Sequence, residues 1–385
     1  MRELVYPVGF LLSPGSPPTA MKRISSHLFM LGVVAVALFS QIESSFGDAS
    51  DELIWKGIAA YNHGEIIRAL ETYDQAVLLN PRNAKAYSER GYVSALYGYD
   101  DDAMDDCNQA VKLDPRLARA YYSRGWVYEA NREFDKALKD FTWAIQFAPE
   151  RVDHYYERGI TYMKKGDREK AMADFALGDR FNLATAADFN NRGRAYSAIG
   201  DTKRSLVAFN KAMELDSNCP LIFSNRGLIF ARQGQYRRAK EDMEQAIHLS
   251  PNFVDAYISL GIVNKALKDY REALADFDQA VELDPKNDRA YIQLAALLAS
   301  CPRADFRDGK EAVGNAMRAC ELSEWTKSEY LTILAASYAE AGDFVSAIVW
   351  EKRYMARDDV SKADAAAARN RLALYELNRP YHQEE

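Results

Sequence analysis

Residues 118–151 read ARAYYSRGWVYEANREFDKALKDFTWAIQFAPER, and the same pattern of small and large residues returns every 34 positions along the chain. Glycine is the clearest marker of this period. It stands at Gly57, Gly91, Gly125, Gly159, Gly193, Gly227 and Gly261. Alanine forms a second series in phase with it, at Ala69, Ala103, Ala137, Ala171, Ala239 and Ala273. A fixed period of this length indicates a chain built from stacked copies of one structural unit.

Each unit is predicted to be a hairpin of two helices. With Ser50 as position 1 of the first unit, positions 2–14 and 18–30 show the 3.6-residue spacing of a helix and contain no proline. Position 15 is often glycine, which can adopt the left-handed conformation that ends a helix. Small residues at positions 8, 20 and 27 allow the two helices to approach closely, and position 24 is usually a large packing residue such as Phe141.

These features resemble the tetratricopeptide repeat family, over seven units from Ser50 to Asn287. The resemblance implies an all-α fold, a right-handed α-α superhelix or solenoid of stacked helix-turn-helix hairpins. The seven units span 50–83, 84–117, 118–151, 152–185, 186–219, 220–253 and 254–287. Two atypical units are expected at 288–327 and 328–360, similar to the closing repeats of many bacterial repeat proteins, with a capping helix and tail at 361–385.

The first 49 residues carry the features of a secretory signal peptide. An apolar run from Leu28 to Phe39 follows Lys22 and Arg23 and precedes small and polar residues. The signal proper is expected at about 21–47, with translation beginning at Met21. The run is short for a permanent span, which needs about 20 apolar residues. We therefore expect cleaved export, to the periplasm or out of the cell. An uncleaved form, which would make the protein a membrane-anchored assembly factor, is the alternative.

Composition and motifs favour a non-catalytic protein. The chain has 385 residues and a formal net charge of −7, which argues against a nucleic-acid groove. It contains no Gly-rich phosphate loop, no GxSxG and no HExxH, and its five His are scattered, so we expect no catalytic residue, metal or other cofactor. The repeats leave no room for a separate catalytic domain. An enzyme with its site in the atypical repeats is the remote alternative.

Stacked hairpins offer a concave surface lined by the first helix of each unit. By the family resemblance, positions 2, 5, 9, 12 and 13 face this groove. Its first half is then aromatic and apolar, with Tyr92, Tyr122, Trp126, Tyr156 and Ile160. Its second half is polar, with Asn190, Asn191, Arg194 and Asn225. We expect the groove to bind a protein or peptide partner that buries apolar side chains on the aromatic half. The competing interpretation is that several of these aromatic residues pack against the neighbouring unit.

A further series predicts ion pairs inside the units. Position 7 is arginine in Arg90, Arg124, Arg158, Arg192 and Arg226. Position 23 is aspartate in four of these five units, at Asp106, Asp140, Asp174 and Asp242, whereas Arg192 faces Ala208. We expect each pair to join the two helices of its unit and to fix their register more than it adds stability. A basic ladder for an anionic ligand is disfavoured by the matched aspartates. Cys107, at position 24, is expected to be a buried thiol, and no disulfide is expected.

Overall fold

The computed structural model describes residues 49–96 and 100–383. Within these ranges the regular structure is helical, without strands, which confirms the predicted all-α solenoid of stacked hairpins. The described part of the first helix, α1, covers 49–62. The later helices are α2 (Ile66–Leu79), α3 (Ala84–Leu96), α4 (Asp100–Leu113), α5 (Ala118–Ala130), α6 (Phe134–Phe147), α7 (Val152–Lys165), α8 (Arg168–Gly178), α9 (Ala186–Ala198), α10 (Thr202–Leu215), α11 (Pro220–Arg232), α12 (Tyr236–Leu249), α13 (Val254–Ala266), α14 (Tyr270–Leu283), α15 (Asp288–Ser300), α16 (Gly309–Leu322), α17 (Ser328–Glu340), α18 (Phe344–Met355) and α19 (Lys362–Glu376). A 3-10 helix, Ala304–Phe306, precedes α16.

The predicted signal peptide, its cleavage region and the alternative membrane anchor lie outside the described residues. In the part of the chain that the structure describes, each helix is too short or too polar to cross a bilayer.

The turn between the two helices of a unit has the predicted left-handed residue at position 15. Gly64, Gly166, Gly200 and Gly234 have φ values of 74°, 90°, 78° and 71°. Non-glycine residues take the same conformation at this position in two other units, Arg132 with φ 59° and Lys268 with φ 67°. The repeat geometry therefore imposes the left-handed turn even where no glycine relieves it, and such a residue is somewhat strained.

Close approach of the paired helices explains the glycine at position 8. A Cβ placed on Gly125 would lie 2.7 Å from Cε1 of Phe141, the position-24 residue of the same unit. Phe141 itself is completely buried, as are Ala137 and Ala144 at positions 20 and 27. Cys107 takes the place of the aromatic ring in the second unit and is a buried free thiol, as predicted. Apart from the second unit, each of the seven units thus buries one large side chain between small neighbours from both helices.

The predicted Arg–Asp pairs are present in four units. Arg124 donates from Nε to Asp140 Oδ2 at 2.6 Å and from Nη2 to Oδ1 at 3.1 Å. The matching pairs are Arg90–Asp106, Arg158–Asp174 and Arg226–Asp242. All four aspartates are buried, so each carboxylate is held by a two-pronged guanidinium contact between the helices.

The second helix of the fourth unit is shorter than its counterparts in the other six units. Helix α8 ends at Gly178, position 27, whereas the second helices of the other six units end at position 30. Gly178 stands where the other units have alanine because the Tyr156 ring fills the space: a Cβ there would lie 2.7 Å from Tyr156 Cε1. The Tyr156 hydroxyl donates to Asp179, the first residue after α8, at 3.0 Å.

The superhelix closes on itself after about one turn. The Cys219 thiol, just before α11, donates to the Asn62 carbonyl oxygen at the end of α1, at a distance of 3.8 Å. Gly64, in the first turn, lies against Phe253, which precedes α13: a Cβ on Gly64 would be 2.7 Å from the Phe253 ring. The first hairpin therefore touches the last residues of the fifth and sixth units, and the concave side of the units between them is partly enclosed.

The last helices close the other end of the stack. Tyr375 of α19 is completely buried among Ala335, Ala339 and Ala347. Glu351 of α18 is also buried, and it accepts hydrogen bonds from Thr332 on α17 and Arg371 on α19.

Candidate partner-binding groove

The aromatic half of the predicted groove is buried. Tyr156 retains 1% and Tyr122 3% of its exposed area, and Tyr92 and Ile160 are buried as well. The Tyr92 ring lies 5.8 Å from the rings of Tyr122 and Trp126, so these side chains pack on one another across successive units. The expectation that Tyr92, Tyr122, Tyr156 and Ile160 offer exposed contact area is wrong; the rings of Tyr92 and Tyr122 pack against neighbouring units, as the competing interpretation holds.

A partly buried ion pair fills the space beside these rings. Arg119 lies over Tyr92, with 4.4 Å from its Cζ to the ring centroid, and over Tyr122 at 5.1 Å. Its guanidinium makes a two-pronged contact with Glu89 on the preceding unit, at 2.8 and 2.5 Å. The cation–π contacts and the Glu89 carboxylate together offset the free-energy cost of partly burying the Arg119 charge. Sequence reasoning missed both residues, although Arg119 stands at position 2.

A second ion pair links the fourth and fifth units. Arg194 of α9 pairs with Glu157 of α7, and its guanidinium lies 5.2 Å from the Trp126 ring centroid. Glu157 is completely buried, and this burial raises the pKa of its carboxyl group to about 7 against the pull of Arg194. Trp126 is half-buried, and its buried Nε1 has no acceptor among the residues described. Arg194 thus lies between the buried aromatic half of the groove and its open half.

The open half of the groove lies along α7, α9 and α11. A cleft of about 470 Å³ opens there. Its lining combines apolar and polar side chains: Ile160, Met163, Lys164, Arg194, Ser197, Ala198, Phe209, Asn225, Leu228, Ile229 and Arg232. Ile160, Arg194 and Asn225 are residues that the sequence assigned to the groove. Most of the others stand at positions 9, 12 and 13 of units 4 to 6, so the same positional rule, applied to all its positions, finds them.

The remaining predicted polar residues differ in their roles. Asn225 donates from Nδ2 to Asn190 Oδ1 at 3.0 Å and so connects α11 to α9. Asn190 and Asn191 are both half-buried, but neither lines the cleft. The structure therefore brings Ile160, Arg194 and Asn225 together and leaves Asn191 beside them.

Among the basic side chains that line this cleft, Arg232 is the one best able to bind an anionic ligand group. Its Nη1 donates to Ser197 Oγ at 2.8 Å, and no carboxylate lies within ion-pair distance of it among the described residues. Lys164 and Arg194, in contrast, already pair with Glu129 and Glu157. Leu228 is exposed beside Arg232 and supplies apolar area. The cleft can therefore bind an apolar group together with an anionic one. Within 49–96 and 100–383, no three His, Cys, Asp or Glu side chains come together as metal ligands would.

Comparison with known proteins identifies the family. Models described as tetratricopeptide repeat match residues 56–118 and 224–288, 118–151, and 153–179 and 189–219. Together these ranges cover more than half of the chain, and the chain belongs to the tetratricopeptide repeat family. Members of this family are in general non-catalytic scaffolds that bind other proteins. No curated protein matches the chain.

Solved structures share the fold. The APC/C hetero-tetramer Cut9–Hcn1 matches with a TM-score of 0.49 and 15% identity, over 77% of this chain and 58% of that one. The chain thus spans less than two thirds of that relative. A human IFIT1 dimer with PPP-AAAA matches with a TM-score of 0.51 and 13% identity, over 81% of this chain and 85% of that one. A tetratricopeptide repeat protein from Parabacteroides merdae has a TM-score of 0.44 and 20% identity, over 64% of this chain and 98% of that one. At these identities the likeness concerns the fold alone.

Proposed function

We propose that the protein is a non-catalytic scaffold that binds a segment of a partner protein in the cleft along α7, α9 and α11. The observation that carries this proposal is the guanidinium of Arg232, which faces a concave, partly apolar cleft without a carboxylate partner among the described residues. Arg232 is exposed and lacks a competing carboxylate, so its guanidinium is available to form charge-assisted hydrogen bonds with an anionic ligand group.

The lining indicates what kind of segment fits. A cleft of about 470 Å³ is within the usual size range for binding pockets and accommodates a few side chains. Leu228 and Met163 offer apolar contacts, while Arg232, Lys164 and Asn225 offer hydrogen-bond donors. The best ligand is therefore an extended peptide with a large apolar side chain next to an acidic side chain or a terminal carboxylate. The aromatic half contributes stiffness to this site through Arg194 and Trp126, rather than contact area.

We place this binding in the cell envelope or outside the cell, because residues 21–47 have the features of a signal peptide. If that segment is retained, the same scaffold is anchored to a membrane and the cleft is unchanged. The formal net charge of −7 opposes nucleic acid as the partner.

Site-specific photo-cross-linking tests the proposal. A benzoylphenylalanine replaces Leu228, which is exposed in the cleft, or Leu78, which is exposed on α2 and does not line the cleft. We expect one protein from an envelope fraction to cross-link at position 228 and not at position 78. Adding Arg232→Gln should remove most of that adduct, because the anionic group of the ligand loses its counter-charge. Equal cross-linking at both positions, or an adduct that is indifferent to Arg232→Gln, would refute the proposed site.

A further inference from the structure

Each of the four Arg–Asp pairs has a third partner on the preceding unit. In each of the four paired units, Nη1 of the arginine also donates to a polar side chain at position 25 of the preceding unit. These acceptors are Asp74, Asn108, Thr142 and Asn210. Each guanidinium is therefore satisfied on two sides, by its own unit and by the one before it.

The fifth unit has the arginine without either of these acceptors. Ala208 replaces the aspartate, and Ala176 stands at position 25 of the preceding unit. Arg192 instead contacts Asp179, with 3.0 Å from Nε to Oδ1. Asp179 also accepts hydrogen bonds from the hydroxyls of Tyr156 and Tyr196, whereas the Arg192 Nε makes an ion-pair contact with it but no hydrogen bond.

The Arg192 guanidinium is correspondingly more open than its counterparts. Its side chain is 34% exposed, against 17–23% for the four paired arginines. A cleft of about 800 Å³ occupies the region where the aspartate would stand. Its lining includes Arg192, Ala208, Lys203, Arg204 and Lys211, with apolar area from Phe189 and Val207.

Positive charge dominates this second cleft. Arg204 pairs with Asp201 and Lys211 with Glu214, both of which also line it. Lys203 has no ion-pair partner among the residues that the structure describes. Four basic side chains thus face two acidic ones in a protein whose formal net charge is −7.

We propose that this cleft binds the carboxylate of an aspartate or glutamate side chain from a partner protein, which takes the place of the missing Asp of the fifth unit. The other four units show the chemistry: a carboxylate at position 23 makes two hydrogen bonds with the guanidinium at position 7. Ala208 removes that carboxylate and leaves room for one from outside, with Lys203 beside it. A side-chain carboxylate also brings an apolar stem, which Phe189 and Val207 can cover.

This site is separate from the proposed peptide cleft. Arg192 and Arg194 are two positions apart on α9, so they project about 200° apart around the helix axis. They line different clefts, Arg194 the one along α7, α9 and α11 and Arg192 the one between α9 and α10. Binding at one cleft can therefore be tested, and refuted, independently of binding at the other.

The test uses the side-chain Nε–Hε resonance of Arg192 in arginine-labelled full-length protein, assigned by loss of the signal in Arg192→Lys. The probe is the blocked tripeptide acetyl-Gly-Glu-Gly-amide at low salt, and the neutral control is acetyl-Gly-Gln-Gly-amide. We expect a saturable shift with the glutamate peptide and none with the glutamine peptide. Ala208→Asp restores the aspartate of the other units, and it should abolish the shift by occupying the guanidinium internally.

Three results would overturn the proposal. They are no shift with the glutamate peptide, equal shifts with both peptides, and an unchanged shift in Ala208→Asp. Inorganic phosphate is titrated in parallel: a larger response to phosphate than to the glutamate peptide would identify a general anion site and refute a carboxylate site. If Ala208→Asp does not fold, Lys203→Gln provides the second variant, and it should weaken the glutamate response at least threefold without moving the melting temperature.

Discussion

Removing both partners of the Arg124–Asp140 pair should destabilise the protein by less than the sum of the two single losses. Asp140 is buried and Arg124 is only 18% exposed, and two hydrogen bonds of 2.6 and 3.1 Å join them. Asp140→Ala leaves the guanidinium with Asn108 as its one remaining side-chain hydrogen-bond partner among the described residues. The double variant Arg124→Met/Asp140→Ala leaves no charge behind. The prediction therefore concerns the coupling energy between the two residues.

The magnitude follows from the burial. Breaking a fully buried pair costs about 3–5 kcal/mol, and a hydrogen bond to a charged group contributes about 1.5–3 kcal/mol. Because Arg124 keeps some contact with water, we expect about 2–4 kcal/mol for Asp140→Ala and a coupling energy of about 1–3 kcal/mol. The pair should therefore account for most of the loss in either single variant.

Urea unfolding of the wild type, both single variants and the double variant provides the measurement, on condition that the m-value is unchanged across the set. Arg192→Met is the matched control, since the fifth unit lacks the aspartate. It should cost about 1 kcal/mol or less, in the range of an exposed ion pair. Additive losses for Arg124 and Asp140, or a loss at Arg192 as large as that at Arg124, would refute the role assigned to the pair.

Two other predictions concern pH and the closed superhelix. Burial lowers the pKa of His154 to about 4, so its contribution to stability is present above pH 6.5 and is lost as the pH falls through 4, by roughly 3 kcal/mol. The pKa of Glu157 is raised, so its protonation between pH 7 and 4.5 stabilises the folded state as the pH falls. Glu157→Gln removes this gain and should make the loss of stability on acidification steeper in a series of urea unfolding curves. An unchanged dependence of stability on pH would contradict this prediction. Asn62→Cys should be joined to Cys219 by a short bifunctional thiol reagent, because the Cys219 sulfur lies 3.8 Å from the Asn62 carbonyl oxygen; intact mass would report the bridged product, and its absence after both thiols have reacted would contradict the closure.

What the sequence could predict was local to one unit. The helices, the left-handed turn at Gly64, the contact of Gly125 with Phe141 and the pairing of Arg124 with Asp140 all join positions within 34 residues of each other. Such contacts recur in several units, so a periodic sequence displays them several times over.

What it could not predict depends on many units together. The contact of Asn62 with Cys219 spans more than four repeats and results from the summed small rotations between neighbours. The repeat pattern does not specify these rotations closely enough to show that the superhelix closes. For this reason the aromatic residues at Tyr92 and Tyr122 were expected on an open surface, whereas they fill an interior. The interior filled by these aromatic residues ends at the open cleft beside Arg232.

The affinity of the cross-linked partner segment, measured as a synthetic peptide, tests the central claim most directly. Arg232→Gln should weaken binding at least tenfold and leave the melting temperature unchanged, because among the described residues the Arg232 guanidinium hydrogen-bonds only to Ser197. Trp126→Ala should lower the melting temperature by several degrees and change affinity less, since its ring packs against Tyr92 and Arg194. The opposite outcome would contradict the account: wild-type affinity in Arg232→Gln, with binding lost in Trp126→Ala at an unchanged melting temperature.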